Sequence, residues 1–202
     1  MSPHLHRTAS AARRRARGGM LVMAVLAAWQ LARPADAQEA IVAQRAAVEA
    51  AFLRNFARYV TWPVSAFANE RAPWTICVLA ADHLDDVLEK TFSGRVEQGR
   101  RFEIVRMKAP EQLQACQIVF VGTPNATRRR AVLTELRRQA VLTIGEAPEF
   151  LDEGGIVRLQ VGERIEMGIN LDQARAASLT IPSKILEVAH EVYENGAVRR
   201  WK

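Results

Sequence analysis

The sequence predicts an α/β domain with a mixed, mainly parallel sheet and an antiparallel C-terminal hairpin, sandwiched between helices. Three observations lead to this prediction. Apolar residues recur at helical spacing along residues 41–60. Two nearly continuous apolar runs, at residues 74–80 and 116–122, are typical of parallel strands buried on both faces. Residues 156–171 instead alternate between apolar and polar on either side of a turn at Gly162, which indicates a hairpin.

The order of the predicted elements supports the same fold class. Helices are predicted at residues 41–60, 82–90, 125–139, 172–177 and 182–193, and strands at residues 74–80, 102–105, 116–122, 140–144, 156–161 and 165–171. Strands that alternate with helices favour a parallel sheet between helical layers. In the first helix Asn55 lies within the apolar stripe, where a buried amide needs hydrogen-bond partners. The last helix has Pro182 in its first turn and Ile185 and Val192 on its predicted buried side.

Residues 1–37 are predicted to be a secretory signal peptide. An arginine-rich run at residues 7–17 precedes an apolar stretch at residues 20–32, and Ala35-Asp36-Ala37 supplies small residues at the spacing that a signal peptidase reads. We place the cut after Ala37. The apolar stretch is shorter than the roughly 20 residues that span a bilayer. Residues 38–202 are therefore expected to form one soluble domain in the periplasm.

The charge of the chain belongs mostly to that leader. The formal net charge is +6, but residues 1–37 hold six arginines and one aspartate, so the remaining chain carries only +1. A nucleic-acid-binding domain is expected to present a strongly basic surface. Nucleic acid is therefore not a predicted partner.

The two cysteines, Cys77 and Cys116, both follow the predicted leader. An even number of cysteines in an exported protein favours a disulfide. Each lies in an apolar strand-like run, and adjacent strands are about 4.8 Å apart, a distance that a disulfide spans. The alternative is a pair of buried core thiols.

The chain carries no recognised catalytic or metal-binding motif. Residues 38–202 contain two histidines, His83 and His190, in different predicted helices, and no cysteine or carboxylate cluster accompanies them at ligand spacing. His190 begins a zinc-protease pattern but lacks the second histidine four residues later. Ser183 and Lys184 are adjacent, so on a helix they point about 100° apart and do not form a nucleophilic pair. No metal, cofactor or catalytic residue is predicted. An enzymatic function therefore ranks third, behind the two functions described below.

Two further features have both a structural and a functional interpretation. The arginines at 128–130 and 137–138 form one basic helix face, which is either solvated or attracted to anionic lipid or an acidic partner. Trp62 and Trp74 are either core aromatic residues or the walls of a small apolar pocket. The pocket interpretation makes a periplasmic small-molecule-binding module the alternative function.

Two longer segments carry a family resemblance. FLRNFARYVTWP at residues 52–63 is soon followed by the strand WTICVLA, and MGINLDQARAASLTIPSKIL stands at residues 167–186. This set, in this order after a signal peptide, resembles the YfiR family of bacterial periplasmic repressors, which includes the HmsC type. The resemblance runs from about Val48 to Val192.

The resemblance implies a protein that binds the periplasmic sensor domain of an inner-membrane diguanylate cyclase and holds the enzyme inactive. Loss of this repression raises cyclic di-GMP and promotes exopolysaccharide and biofilm formation. The resemblance also implies a homodimer and release by an outer-membrane lipoprotein. Cys77 and Cys116 match family cysteine positions, whereas a second, closely spaced cysteine pair of some members is absent, with Leu151 and Arg158 in that region.

A repressor without catalytic residues acts through a surface. The predicted C-terminal hairpin alternates, so one of its faces is free for water or for a partner. Glu166, Asn170 and Arg175, on the hairpin and the segment after it, are the predicted partner-binding residues.

Overall fold

The structure is a computed structural model that describes residues 34–107 and 116–201. The chain divides into two compact units, Met1–Ile41 and Val42–Lys202. The fold described below is that of the second unit. The predicted signal peptide lies outside the described residues except for its last four, which are helical.

The described chain contains five α-helices and nine strands. The helices are α1 (Pro34–Tyr59), α2 (Asp85–Phe92), α3 (Ala126–Leu136), α4 (Leu171–Ala176) and α5 (Ser183–Leu186). Short 3-10 turns lie at Val64–Ala66 and Asp82–Leu84. The strands are β1 (Trp74–Leu79), β2 (Val96–Glu97), β3 (Arg100–Met107), β4 (Ile118–Val121), β5 (Leu142–Gly145), β6 (Val157–Val161), β7 (Ile165–Asn170), β8 (Glu191–Glu194) and β9 (Ala197–Arg200).

All nine strands form one mixed sheet, in the order β2-β3-β1-β4-β5-β6-β7-β8-β9. Neighbouring strands from β3 to β6 are parallel, as are β7 and β8. The pairs β2·β3, β6·β7 and β8·β9 are antiparallel. The predicted fold class and the predicted hairpin at β6 and β7 are therefore confirmed.

The chain changes direction across the sheet at β1. After β1 it passes through α2 to β3 on one side, and β4 then pairs with the opposite side of β1 before α3 leads to β5. Crossovers between parallel strands are right-handed, so helices on connections running in opposite directions cover opposite faces of the sheet. Such a reversal leaves a crevice at the carboxyl ends of the two central strands.

Successive residues of the central strands enter two separate cores. Ile76 and Val78 pack with α1, α2, α4 and α5, whereas Cys77 and Leu79 pack with α3 on the opposite face. Side chains alternate between faces along a strand, and here both faces are covered by helices. The continuous apolar runs of the sequence thus correspond to strands without a solvent face.

Cys77 and Cys116 form a disulfide with a Cα–Cα distance of 5.9 Å. Cys77 lies in β1, and Cys116 immediately precedes the segment that leads into β4, the parallel neighbour of β1. The prediction of a bridge between adjacent strands is confirmed. Both cysteines belong to the α3-facing core, which the bond ties across the centre of the sheet.

The predicted helix at residues 182–193 is wrong beyond its first turn. Only α5 is helical, and Val192 is buried in β8, which pairs with β7 on one side and β9 on the other. The two residues between β8 and β9, Asn195 and Gly196, both have positive φ, of 54° and 72°. Two successive positive φ values are those of a type I′ hairpin turn, for which Asn-Gly is the favoured sequence.

Helix α1 differs from its prediction at Asn55. This residue, predicted to be a buried amide, is exposed to solvent. Glu49 of the same helix is fully buried. The buried face of α1 contains Ala46, Ala50, Leu53, Phe56 and Ala57, and Glu49 lies on the same side.

Phe150 anchors the loop between β5 and β6. Its ring is fully buried and lies against the backbone of both Gly145 and Gly155, where a Cβ atom at either glycine would overlap the ring. The Gly155 N–H donates to the Phe150 carbonyl oxygen at 2.8 Å. The ring therefore fixes the position of the residues between the two glycines.

In the part of the chain that the structure describes, no helix has the length and apolar character that crossing a membrane requires.

Replacing both cysteines with alanine should lower the free energy of unfolding. The bond closes a loop of 39 residues, for which the chain-entropy relation gives about 4 kcal/mol. Urea denaturation of the oxidised protein and of the double variant measures the difference. A reductant should destabilise the parent protein and leave the double variant unchanged; equal effects on both would contradict the prediction.

Gly155→Ala should destabilise the domain by about 1–3 kcal/mol, because the added methyl group must displace the packed Phe150 ring. Gly162→Ala is the matched control. Apart from its chain neighbours, the nearest heavy atom to a Cβ atom at Gly162 would be the Arg164 carbonyl oxygen, 4.0 Å away. The control should change stability by no more than about 0.5 kcal/mol in the same urea titration. Similar losses of stability in the two variants would show that the effect at Gly155 does not come from displacing the Phe150 ring.

Candidate functional site

A crevice lies at the carboxyl ends of β1, β4 and β5, where the chain reverses direction across the sheet. Ala80, Gly122 and Glu146 are the first residues after these strands. Gly122 approaches the Ala80 backbone so closely that a Cβ atom would overlap the Ala80 carbonyl oxygen. The Gly122 N–H donates to the Leu79 carbonyl oxygen at 2.9 Å, which holds the carboxyl ends of β1 and β4 together. A residue larger than glycine does not fit between these two strand ends.

Four charged or titratable side chains meet at this crevice, and we call them the Glu49 cluster: Arg45, Glu49, His83 and Glu146. The buried Glu49 carboxylate accepts from Arg45 Nε at 2.9 Å and lies 2.7 Å from His83 Nε2. Arg45 also pairs with Glu146. A buried carboxylate without partners costs several kcal/mol, and here Arg45 and His83 supply those partners to Glu49.

The Glu49 cluster could not be found from the sequence. Glu49 and His83 are 34 residues apart, and Arg45 and Glu146 are 101 apart. The sequence shows no carboxylate cluster at ligand spacing around either histidine, yet the fold brings Glu49 and Glu146 to His83, and the ligand atoms of these three residues lie within 4.8 Å of one another. The one available signal is the carboxylate's position: Glu49 lies three residues after Ala46 and four before Leu53, both on the buried face.

A cavity of about 780 Å³ adjoins the cluster, between the loops that follow β4 and β5. Arg129 of α3 forms part of its wall. Its guanidinium donates to both carboxylate oxygens of Glu153 at 2.7 and 2.9 Å and to the carbonyl oxygens of Thr123 and Pro124. The predicted basic face of α3 is therefore wrong at Arg129, which is buried and joins the two loops.

Trp62 and Trp74 are brought together, as core residues. Their ring centroids are 4.9 Å apart at an angle of 75°, and both rings are buried. Each indole Nε1–H is satisfied by a backbone carbonyl oxygen, that of Gln117 for Trp62 and that of Glu97 for Trp74. Phe67 packs edge-on against Trp74. The described contacts of the two tryptophans are thus those of a packed aromatic cluster.

The three predicted partner-binding residues lie in different environments. Glu166 is exposed near the start of β7. Arg175 is exposed on α4 and pairs with Glu194 of β8 at 2.6 Å. Asn170 is buried at the end of β7, where its Oδ1 accepts the Gln173 N–H and caps α4. Two of the three therefore present side chains to solvent.

The second candidate region is the edge of the sheet at the C-terminal strands, which we call the C-terminal surface: Glu166, Arg175, Val198, Arg199 and Trp201. The strand register places Glu166 and Val198 on one face of the sheet and Arg199 on the other, so this surface extends around the edge strand β9. Val198 and Trp201 are 42% and 46% exposed, and the Arg199 guanidinium lies 6.0 Å from the Trp201 ring centroid. Glu194 accepts from both Arg175 and Arg199 and so connects α4 to β9.

Backbone hydrogen bonds place Glu166 and Trp201 at the same end of these strands. The Trp201 N–H donates to the His190 carbonyl oxygen at 2.9 Å, and the His190 N–H donates to the Met167 carbonyl oxygen at 2.7 Å. Two strand spacings of about 4.8 Å thus separate Trp201 from the residue next to Glu166. In the described part of the chain β9 pairs only with β8, so its outer edge is unpaired.

The turn between β8 and β9 is fixed to α4 by Asp172. Its carboxylate accepts the N–H groups of Asn195 and Gly196 at 2.9 and 3.0 Å. The hydrogen bond from Gly196 contributes most to holding the pKa of Asp172 below its ordinary value. The hydrogen bond from Asn195 and the charge of Arg175 lower this pKa further. The hairpin is therefore positioned by an ionised carboxylate.

Fold and sites together define an α/β domain with a crevice at its strand reversal and a second, exposed surface at the edge of the sheet. A model of the YfiR/HmsC-like family matches residues 46–190, and the chain belongs to that family. Its members are periplasmic regulators of cyclic di-GMP signalling and are not known enzymes.

Two solved structures are similar over part of their length. A conserved domain protein from Vibrio cholerae O1 biovar El Tor is 14% identical, with a TM-score of 0.46 over 60% of this chain and 55% of that protein. The ABC domain from Streptococcus pneumonia in complex with L-Trp is 14% identical, with a TM-score of 0.43 over 58% and 54% of the two chains. The chain thus spans about half the length of each.

Asp172→Asn should loosen the β8–β9 turn, because a neutral amide accepts hydrogen bonds less strongly than a carboxylate. We expect faster hydrogen exchange at the amides of Asn195 and Gly196. Since the folded pKa of Asp172 is lowered, its stabilising effect is present above the ordinary value of 3.8 and is lost as the pH falls through the folded pKa.

The difference in exchange between parent and variant should therefore shrink as the pH is lowered into that range. Asp86→Asn, at an exposed carboxylate on α2, is the control and should leave these amides unchanged. A difference that persists after Asp172 is protonated would contradict the assigned role of its charge.

Proposed function

We propose that this protein is a periplasmic repressor, which binds the periplasmic domain of an inner-membrane diguanylate cyclase and holds that enzyme inactive. The family supplies the general role in cyclic di-GMP signalling. The proposal adds that residues 1–37 are removed as a signal peptide and that residues 38–202 act in the periplasm. Loss of the protein would then raise cyclic di-GMP and promote biofilm formation.

A periplasmic protein alters a cytoplasmic enzyme by preferring one conformation of the enzyme's outer domain. The shift cannot exceed the difference between its affinities for the two conformations, and each 1.4 kcal/mol of that difference changes their ratio tenfold. Such a regulator needs a surface and no catalytic residue. The proposal therefore depends on where a partner binds.

The observation that carries the proposal is the composition of the C-terminal surface. Val198 of the edge strand β9 and Trp201 immediately after it are exposed apolar side chains, and the cationic Arg199 lies beside Trp201. Tryptophan and arginine are enriched among residues that dominate binding energy at protein interfaces. An unpaired strand edge also offers backbone donors and acceptors to another chain. These features favour the C-terminal surface, with Glu166 at its margin, as the site for the cyclase.

Two finer parts of the proposal come from the family resemblance. We infer that the repressor is a homodimer and that an outer-membrane lipoprotein relieves repression by binding it. Analytical ultracentrifugation of residues 38–202 measures the first, since a dimer has about twice the mass of the chain. These parts stand or fall separately from cyclase binding.

Glu166→Arg and Trp201→Ala should each weaken retention of the protein on the immobilised periplasmic domain of the cyclase. A charge reversal at an interface margin acts mainly on association, whereas loss of a central aromatic residue costs on the order of 2 kcal/mol, or about thirtyfold in Kd. Glu149→Arg, an exposed charge reversal on the β5–β6 loop, is the matched control and should bind as the parent does.

The same variants should raise cellular cyclic di-GMP when they replace the parent gene. Deletion of the gene sets the upper limit of that rise. Unchanged retention of both variants would remove the C-terminal surface from the proposal, and unchanged cyclic di-GMP on deletion would overturn the repressor function itself.

A further inference from the structure

The Glu49 cluster has a property that cyclase binding does not use. Ligand atoms from Glu49, His83 and Glu146 all lie within 4.8 Å of one another. They come from three different parts of the fold, namely helix α1, the 3-10 turn after β1, and the residue after β5. If Glu49 served only to accept a hydrogen bond from His83, the second carboxylate, that of Glu146, would not be needed beside it.

The donor types are those of a transition-metal site. An imidazole nitrogen with two carboxylate oxygens suits Zn²⁺ and similar divalent ions, whereas Mg²⁺ and Ca²⁺ prefer oxygen ligands alone. Ligand atoms bound to Zn²⁺ at about 2.0–2.1 Å in tetrahedral geometry are roughly 3.3 Å apart. The Glu49 Oε2 to His83 Nε2 distance of 2.7 Å therefore has to open by well under 1 Å.

Arg45 already supplies positive charge at this point. Its guanidinium contacts both carboxylates, those of Glu49 and Glu146. Its side chain is 40% exposed, however, whereas that of Glu49 is fully buried. A long, partly exposed arginine can turn outward into water, but the Glu49 carboxylate cannot leave. Arg45 is thus placed to balance the carboxylates in the absence of a metal and to yield to one.

The cluster is open to solvent. A cavity of about 490 Å³ is lined by Arg45, Asp82, His83 and Glu146 together with the backbone at Ala80 and Gly122. Because it lies at the carboxyl ends of β1 and β4, it coincides with the crevice in which ligands bind in open α/β sheets. A hydrated ion can enter here and keep a water as its remaining ligand.

We propose that Glu49, His83 and Glu146 form a binding site for one divalent cation of the zinc class, with Arg45 as the charge that the metal displaces. The site is separate from the C-terminal surface, which contains none of these residues. Metal binding to the folded state would raise thermal stability in proportion to the logarithm of the free metal concentration.

The experiment uses untagged, chelator-treated protein, so that no added histidines compete. Titration calorimetry with ZnCl2 should give one equivalent bound, and Co²⁺ should produce visible d–d absorption that Zn²⁺ abolishes. MgCl2 and CaCl2 are the controls for nonspecific binding to exposed carboxylates. His83→Ala and Glu49→Gln should each reduce the affinity by more than about 100-fold.

Arg45→Ala provides the distinguishing result. If arginine competes with the metal, its removal should tighten binding at least about tenfold, because a like charge a few ångströms away has been removed. A structural role for Arg45 alone predicts weaker binding or none. His190→Ala is the matched histidine control and should bind as the parent does, because His190 is exposed at the start of the β8 segment.

The outcomes separate cleanly. One equivalent of Zn²⁺ in the parent, lost in His83→Ala and tightened in Arg45→Ala, supports the site. Absence of binding in both the parent and Arg45→Ala overturns it, as does unchanged binding in His83→Ala. Circular dichroism establishes that each variant is folded; should Glu49→Gln fail to fold, the Arg45 and His83 variants still decide. Neither result bears on cyclase binding.

Discussion

The parallel pairing of β1 with β3 on one side and β4 on the other is the constraint on which the structure depends. The helices on the connections between these parallel strands cover both faces of β1, which therefore needs apolar residues along most of its length. The parallel pairing also sends the following connections in opposite directions, which opens the crevice at Ala80 and Gly122. The disulfide and the Glu49 cluster are both built on this strand or its end.

Much of the fold was predictable because its central strands leave little ambiguity. Continuous apolar runs identified β1 and β4, and alternation identified β6 and β7. The error at residues 182–193 arose because Ile185, Ala189 and Val192 are also spaced as on a helix. Hydrogen-bonded pairing with β7 nevertheless makes Glu191–Glu194 a strand. The Asn195-Gly196 pair was a local hairpin signal that could have corrected the prediction.

The sites were less predictable, for physical reasons. Glu166 and Arg175 are exposed, whereas Asn170 is buried and caps α4, a role set by where the helix begins. Partner binding by these residues stays a prediction. Cys77 and Cys116 could be paired because strand adjacency and compartment both favour it. The Glu49 cluster unites residues more than 30 positions apart in the chain. Such convergence is a property of topology, and a single sequence carries no local record of it.

The contact of Phe150 with Gly145 and Gly155 has a consequence for the evolution of this family. Three positions share one volume, so they cannot change independently. A relative that carries a side chain at either glycine position needs a smaller residue in place of the ring. Substitutions at 145, 150 and 155 should therefore co-vary among homologues, even though position 150 is neither adjacent to the other two in sequence nor part of a strand.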